Sequence, residues 1–332
     1  MTERPAVEVA DFAVRFCQRE RTIHAVNGVS FRLARGEVLG ILGESGSGKS
    51  VTLRALMRLL PANCEIDGRV TINGEDITEA PRARLEQLRG SRVAMIFQEP
   101  ATALDPVFTI GEQIAETILR HEAVSRRQAR QRALELLERV QIPSARRRLD
   151  SYPHEMSGGM RQRAMIALAL SCNPSVLLAD EPTTALDVTV QIQILLLLRE
   201  LQRELGMAVI FVTHDVGAAV EVSDRLAVMY AGRFVETGTA RDVLKRRAHP
   251  YTEGLLAANL HGAEPGARLM TIPGSPPNLA ALPQGCSFAP RCAYALDVCG
   301  TADPRPVACG DGHIARCHRV EERLKVLPER RG

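Results

Sequence analysis

A glycine-rich stretch that ends in a lysine and a serine is the first segment that could do chemistry. It reads GESGSGKS over residues 43–50 and fits the pattern G-x-x-x-x-G-K-[ST]. The apolar run EVLGIL precedes it and a helical pattern follows, so the loop joins a strand to a helix. Glycines allow the backbone to wrap closely around an anion, and amides at the start of a helix point towards it. We therefore predict a loop that binds nucleotide phosphates rather than an ordinary Gly/Ser-rich turn.

The residues expected to take part are Gly43, Ser45, Gly46, Gly48, Lys49 and Ser50. Lys49 would reach the β- and γ-phosphates, and the Ser50 hydroxyl would ligate Mg²⁺.

A second apolar strand ends in two carboxylates. It is SVLLADEP, residues 175–182, with Asp180 and Glu181 at its tip. Asp180 can hold Mg²⁺ through water, and Glu181 can orient and polarise an attacking water. Acidic caps at an ordinary strand end are the alternative, and the phosphate loop upstream favours the hydrolytic interpretation.

Small residues also begin an apolar helix in HEMSGGMRQR, residues 154–163. Ser157, Gly158 and Gly159 leave a helix N-terminus open to an anion, although a simple Ser N-cap explains the same residues. The order of the phosphate loop, this SGG turn and the D-E strand resembles that of the ATP-binding cassette (ABC) ATPases.

The resemblance implies roles for further residues. Gln98, in IFQEP, stands at the Gln loop, which touches Mg²⁺ and water and reports to a membrane domain. The segment TALD, residues 184–187 and ending in Asp187, matches the loop that crosses the dimer interface. His214, in VTHD, matches the switch histidine that bonds the γ-phosphate. Phe16 is the candidate aromatic for adenine stacking, and His24 is a second candidate.

The family mechanism pairs two nucleotide domains head to tail. Each ATP, with its Mg²⁺, would lie between the phosphate loop of one domain and residues 157–159 of the other. The catalytic residues implied are Glu181, His214 and Gln98, and the Mg²⁺ ligands are Ser50, Gln98 and Asp180.

Later stretches resemble one branch of the family, the oligopeptide/dipeptide/nickel importer ATPases. They are MIFQEPATALDPVFTIGEQI (95–114), AHPYTEGLL (248–256), IPGSPPNL (272–279) and the cysteine-rich GCSFAPRCAYALDVC (285–299). The branch implies two membrane permeases, a second ATPase subunit (a sister chain or a second copy), and indirectly an extracytoplasmic binding protein. It also implies the cytoplasmic face of the membrane and no nucleic acid. The cargo stays open among dipeptides, oligopeptides, nickel chelates and glutathione.

Four cysteines in the tail form a possible ligand set. Cys286, Cys292, Cys299 and Cys317 are separated by 5, 6 and 17 residues, with Cys309 and His313 between the last two. Four thiolates suit zinc or an iron–sulfur cluster, and free thiols are the third alternative. The resemblance favours a [4Fe–4S] cluster, and the sequence leaves the roles of Cys309 and His313 open.

Composition limits the function classes. The chain has 332 residues, a net charge of +3 and no Trp, which argues against base stacking on single-stranded nucleic acid. No apolar run approaches the ~18 residues of a membrane span, and the N-terminus lacks the apolar core of a signal peptide. We therefore expect a cytoplasmic chain.

Strands that alternate with helices predict an α/β fold with a parallel sheet. The resemblance specifies a P-loop ABC ATPase: a RecA-like core, an antiparallel β subdomain and a helical subdomain at about 101–165. We expect residues 1–255 to form the nucleotide-binding domain, and 256–332 a Pro-rich linker with an irregular, Cys-rich extension. An ABC ATPase of DNA repair or chromosome maintenance is the alternative, but residues 50–157 lack heptads and room for a coiled-coil insertion.

Overall fold

The computed structural model describes residues 4–19, 21–258 and 271–326. The strands are β1 (Val7–Cys17), β2 (Thr22–Leu33), β3 (Val38–Leu42), β4 (Cys64–Ile72), β5 (Glu75–Asp76), β6 (Val93–Ile96), β7 (Val176–Asp180), β8 (Ala208–Thr213), β9 (Arg225–Tyr230), β10 (Arg233–Thr239), β11 (Val307–Gly310) and β12 (His313–Ala315). The α-helices are α1 (Lys49–Leu56), α2 (Arg82–Leu88), α3 (Pro100–Ala103), α4 (Ile110–His121), α5 (Arg126–Arg139), α6 (Ala145–Arg148), α7 (Gly158–Leu170), α8 (Val188–Leu205), α9 (Val216–Val222), α10 (Ala240–Arg246), α11 (Pro250–Ala258), α12 (Asp297–Thr301) and α13 (Val320–Val326). None of these described helices is long and apolar enough to cross a membrane.

The described chain divides into two compact units. Unit 1 comprises Met1–Val7, Arg32–Val38 and Thr71–Phe211, and unit 2 comprises Glu8–Phe31, Leu39–Val70 and Val212–Gly332, apart from the undescribed residues within them. The predicted boundary at residue 255 stays a prediction, and residues 259–270 of the predicted linker lie outside the described residues.

In unit 2, a buried parallel strand leads into the phosphate loop. All five residues of β3 are buried, as its apolar sequence predicts, and β3 pairs in parallel with β9. A two-residue turn joins β9 to β10, with Ala231 and Gly232 both at positive φ. Such turns match the twist of the paired strands. The phosphate loop therefore leaves the carboxyl end of a strand that is fixed within a sheet.

The prediction of an irregular C-terminal extension is wrong for part of its length. β12 pairs antiparallel with β10, placing Ala315 opposite Glu236, and β11 pairs with β12. β11 is four residues long and contains a cysteine and a glycine, and β12 is three residues long. Their pattern is too short to predict strands, because the pairing of β12 with β10 and of β11 with β12 defines them rather than local propensity.

The extension also contributes to the core of unit 2. Phe288 packs against Tyr230 and Tyr251, with ring centroids 5.2 and 5.4 Å apart. Leu226 and Val228 of β9 belong to the same buried cluster. The extension thus completes the hydrophobic core on which β9 rests.

In unit 1, β6 and β7 run in parallel, with Val93 opposite Val176 and Ile96 opposite Ala179. The continuous helical pattern at 109–142 resolves into two helices, α4 and α5. Ser125 begins α5 through a capping box with Gln128, which satisfies the first amides of the new helix. The break contains no Gly or Pro, so the apolar periodicity runs across it and only the capping box marks it.

Candidate nucleotide site

The glycines of the phosphate loop are required by its geometry. Gly46 and Gly48 have φ of 78° and 106°, in the left-handed region that favours glycine. A Cβ on Gly48 would lie 2.3 Å from the Ala25 carbonyl oxygen, and one on Gly43 would lie 2.3 Å from that of Met229. A side chain at Gly43 or Gly48 would therefore clash with neighbouring backbone, and the φ of Gly46 favours glycine.

Lys49 lies over its own loop. Its side-chain Nζ donates hydrogen bonds to the carbonyls of Gly43 at 2.7 Å and Glu44 at 2.9 Å. Ser50, the second residue of α1, is half-buried, whereas Ser45 and Gly46 are exposed. The loop therefore combines a positioned ammonium group with accessible backbone at a helix start, an arrangement that suits phosphate binding.

In unit 1, Gln98 and Glu181 lie together. Asp180 ends β7 and is fully buried, and Glu181 follows it with a φ of 47°. The Glu181 carboxylate accepts hydrogen bonds at Oε2 from Gln98 Nε2 at 3.2 Å and from the Thr184 hydroxyl at 3.0 Å. A non-glycine residue in the left-handed region is uncommon and strained, and strain of this kind clusters at functional sites. The sequence placed Thr184 in the segment that resembles the dimer-interface loop, but it did not predict this bond to Glu181.

The SGG turn lies beside the start of α8. Ser157 is the N-cap of α7 and accepts a bond from the Met160 amide at 3.4 Å. A Cβ on Gly159 would lie 2.8 Å from Val190 Cγ1, and Asp187 caps α8 by accepting from the Val190 amide at 3.0 Å. A Cβ on Gly158 would meet only Leu186, at 3.7 Å. Gly159 is thus required by packing, while Gly158 leaves open backbone at the helix start.

The remaining nucleotide candidates lie in unit 2. His214 is exposed directly after β8, Phe16 is half-buried in β1, and His24 is half-buried in β2. The His24 amide donates to the Leu279 carbonyl of the extension at 2.9 Å, and its own carbonyl accepts from the Asn27 side chain at 3.0 Å. Their contacts with nucleotide stay predictions.

None of the tail cysteines is in a disulfide; Cys299 is buried, and Cys286, Cys292, Cys309 and Cys317 are half-buried. Burial raises the pKa of the Cys286 thiol to about 11, and it also raises the pKa values of Cys292 and Cys317. The Leu296 amide donates to the sulfur of Cys299 at 3.5 Å, and the Arg319 amide donates to that of Cys317 at 3.4 Å. Over residues 4–19, 21–258 and 271–326, no group of three or more His, Cys, Asp or Glu side chains could hold a metal ion. The predicted iron–sulfur cluster therefore has no support from the side-chain arrangement.

Comparison with known proteins defines the class. The ABC transporter family model matches residues 26–184. The solved ATP-binding cassette MJ0796, in a dimeric post-hydrolysis state bound to ADP and Pi, is 30% identical, with a TM-score of 0.64 over 71% of this chain and 99% of that chain. The cassette cbiO1 of Clostridium perfringens is 28% identical, with a TM-score of 0.63 over 74% of this chain and 92% of that chain. The fold is therefore the predicted α/β fold of a P-loop ABC ATPase.

The C-terminal half identifies the branch. The family model "Oligopeptide/dipeptide transporter, C-terminal region" matches residues 235–299. The oligopeptide transport ATP-binding protein OppD of Salmonella typhimurium is 48% identical over 96% of this chain and 95% of its own length. A putative peptide import ATP-binding protein of Brucella abortus is 48% identical over 97% of this chain and 99% of its own. The chain belongs to the ATP-binding subunits of oligopeptide/dipeptide-type ABC transporters. The comparisons favour this branch over the DNA-repair alternative.

Proposed function

We propose that this chain hydrolyses ATP to power peptide uptake, as one of two ATPase subunits of an importer. The observation that carries the proposal is the setting of Glu181. Its carboxylate follows a buried strand, accepts bonds from Gln98 and Thr184, and occurs in a chain with a phosphate loop. A carboxylate oriented in this way suits a general base for an attacking water.

Each step uses a group described above. The loop amides and Lys49 bind the β- and γ-phosphates, and His214 contacts the γ-phosphate. Ser50, Asp180 and Gln98 are the residues that would hold Mg²⁺, which when bound neutralises charge on the transferred phosphoryl group. Glu181 orients the water and accepts its proton. Residues 157–159 of the second ATPase subunit close the site with the start of their helix.

The names of the relatives support a proposed assembly and cargo. Their names describe oligopeptide transport and peptide import. We propose two permeases that receive this chain at the cytoplasmic face and an extracytoplasmic binding protein that delivers cargo. Peptides are the proposed cargo class, with dipeptides, oligopeptides, nickel chelates and glutathione to be compared directly.

Uptake of a labelled tripeptide by cells tests this function. The cells would carry Lys49→Ala in place of the wild-type chain, with labelled free amino acid as the control solute. We expect tripeptide uptake to be lost and amino-acid uptake to be retained, because Lys49 binds the transferred phosphates. Unchanged tripeptide uptake would refute the role in import.

A [4Fe–4S] cluster on Cys286, Cys292, Cys299 and Cys317 is a separate proposal, with zinc as the competing metal. Its support is the resemblance of the tail to the importer ATPases, together with amide donors at two of the sulfurs. Backbone amides donate to sulfur at Cys299 and Cys317. Such donors stabilise thiolates and clusters. Binding would require the four sulfurs to approach one another and lose their protons.

Metal analysis of anaerobically purified protein separates the outcomes. About four irons per chain, lost in Cys299→Ser and retained in Cys309→Ser, would support the cluster. One zinc or no metal would refute it without affecting the ATPase assignment.

A further inference from the structure

Glu44, the second residue of the phosphate loop, is held at three points. Its carboxylate receives a bidentate pair of bonds from Arg291, at 2.7 Å from Nη1 and 3.0 Å from Nη2. Its amide donates to the Tyr251 hydroxyl at 2.9 Å, and its carbonyl accepts from Lys49 at 2.9 Å. Tyr251 and Arg291 both lie beyond β10, in the C-terminal part of unit 2. Two of the three contacts on this loop residue therefore come from there.

Arg291 is itself fixed. Its side chain is only 4% exposed. Its Nε donates to the Pro273 carbonyl at 2.8 Å, and Nη1 lies 3.4 Å from the Tyr230 hydroxyl. The bond to Glu44 raises the pKa of the guanidinium, which therefore stays charged. A planar guanidinium held by neighbouring carbonyls fixes a carboxylate in both position and direction.

The ion pair of Glu44 and Arg291 lies in the loop proposed to bind ATP, so it affects nucleotide binding. Glu44 is an acidic residue within a loop that receives the phosphates of ATP, so an uncompensated carboxylate would repel them. Arg291 both neutralises this charge and fixes the position of the carboxylate that carries it. An ion pair placed elsewhere in the extension would have neither effect.

We propose that Arg291 is a positioning residue for the phosphate loop, acting through Glu44, so that the C-terminal extension sets the affinity of the chain for ATP. The inference rests on the proposed nucleotide site.

The test is the Kd of a fluorescent ATP analogue for the purified full-length chain, together with KM and kcat for Mg·ATP. Arg291→Met should raise Kd and KM about tenfold, because it leaves the Glu44 charge beside the phosphates. We expect kcat at saturating ATP to stay within about twofold, because Glu181 is untouched. A loss of packing alone would not separate KM from kcat in this way.

The matched control is Arg323→Met. Arg323 is also in the extension, pairs with Glu253 at 2.6 Å and stacks over Tyr294, but contacts no residue of the loop in this structure. It should leave Kd and KM unchanged. An equal effect of both substitutions would overturn the proposal, because general loosening of the extension would then explain both.

A double-mutant cycle tests the route through Glu44. Glu44→Gln combined with Arg291→Met removes the repelling charge, so we expect Kd to return to within about threefold of wild type. Additive effects would overturn the proposal. If Arg291→Met fails to fold by circular dichroism, Arg291→Lys keeps the charge but loses the bidentate geometry. Arg291→Lys should raise Kd about threefold, and an unchanged Kd would overturn the proposal.

Lys49→Ala separates this inference from the proposed function. Nucleotide binding by Lys49→Ala as tight as wild type would refute the nucleotide site itself. Lost binding in Lys49→Ala with wild-type affinity in Arg291→Met would refute only the role of Arg291.

Discussion

The side-chain amide of Gln98 donates to Oε2 of Glu181 across 3.2 Å. Gln98 follows β6 and Glu181 follows β7, and these two strands pair in parallel. The bond therefore joins the ends of neighbouring strands at the residue proposed to activate water. A displacement of the Gln98 segment would lengthen or break its bond to the Glu181 carboxylate. This bond is the physical contact by which a membrane partner would act on the proposed base.

Replacing Glu181 by Gln tests the proposed base directly. We expect ATP turnover to fall at least about 100-fold, because the amide cannot accept the proton from water. The Kd of the ATP analogue should stay within a few-fold of wild type. Glu200→Gln, an exposed change on α8, is the control. Wild-type turnover in the Glu181 variant would show that another group is the base.

Removing the groups that orient Glu181 should lower turnover without abolishing it. Each donates one bond to the carboxylate, so Gln98→Ala should reduce kcat about tenfold and Thr184→Val by a similar or smaller factor. The two donors share one oxygen, and we therefore expect the double variant to deviate from multiplicative behaviour. Steady-state kinetics at saturating ATP measures this. Unchanged kcat in both single variants would contradict the orienting role.

Because His249 is buried, we predict that the free energy of unfolding decreases at acidic pH. Burial lowers the pKa of this histidine from 6.5 to about 4. Between these values the unfolded chain binds a proton that the folded chain does not, so the free energy of unfolding decreases as the pH is lowered through this window. From pH 7.5 to 5.0 the contribution of this residue is about 2 kcal/mol.

His249→Asn isolates that contribution. The Asn oxygen can replace Nδ1, which accepts from the Tyr251 amide at 3.0 Å, so the local bond is retained. Urea unfolding at both pH values should show a smaller loss in the variant than in wild type. Equal losses would mean that His249 does not titrate as its burial predicts.

Glu236 should be a large contributor to the stability of unit 2. It is almost fully buried and accepts bonds from the amides of Ala248 and His249, at 2.8 and 2.9 Å, and one from His313 Nε2 at 2.8 Å. Glu236→Ala leaves these buried donors without an acceptor, and we expect it to lower the free energy of unfolding by about 3 kcal/mol. Exposed Glu221→Ala is the control, and urea titration is the measurement. A change below about 1 kcal/mol would show that the donors find other partners.

The sequence predicts those parts of the site that depend on local order. The phosphate loop, the D-E strand end and the SGG turn are each continuous, so motif and neighbouring pattern suffice to place them. The bond between Gln98 and Glu181 needs the pairing of β6 with β7, which no local pattern in the sequence indicates. The pair of Glu44 and Arg291 joins residues 247 positions apart. The chain has many arginines and glutamates, so their charges alone do not indicate which two form a pair. Tertiary packing, which the sequence does not show directly, brings Glu44 and Arg291 together.

The position of β12 beside β10 has a consequence for self-association. Without β11 and β12, the last strand of this part of the sheet would be β10, seven residues long and mostly buried. An open edge of that kind offers unpaired amides and carbonyls to any other extended chain. The edge is instead ended by β11, which is four residues long and has a register irregularity between Ala308 and Gly310. Short, bulged edges are poor templates for strand addition. The cysteine-rich extension thus replaces an open strand edge by one that is a poor template for edge-to-edge aggregation.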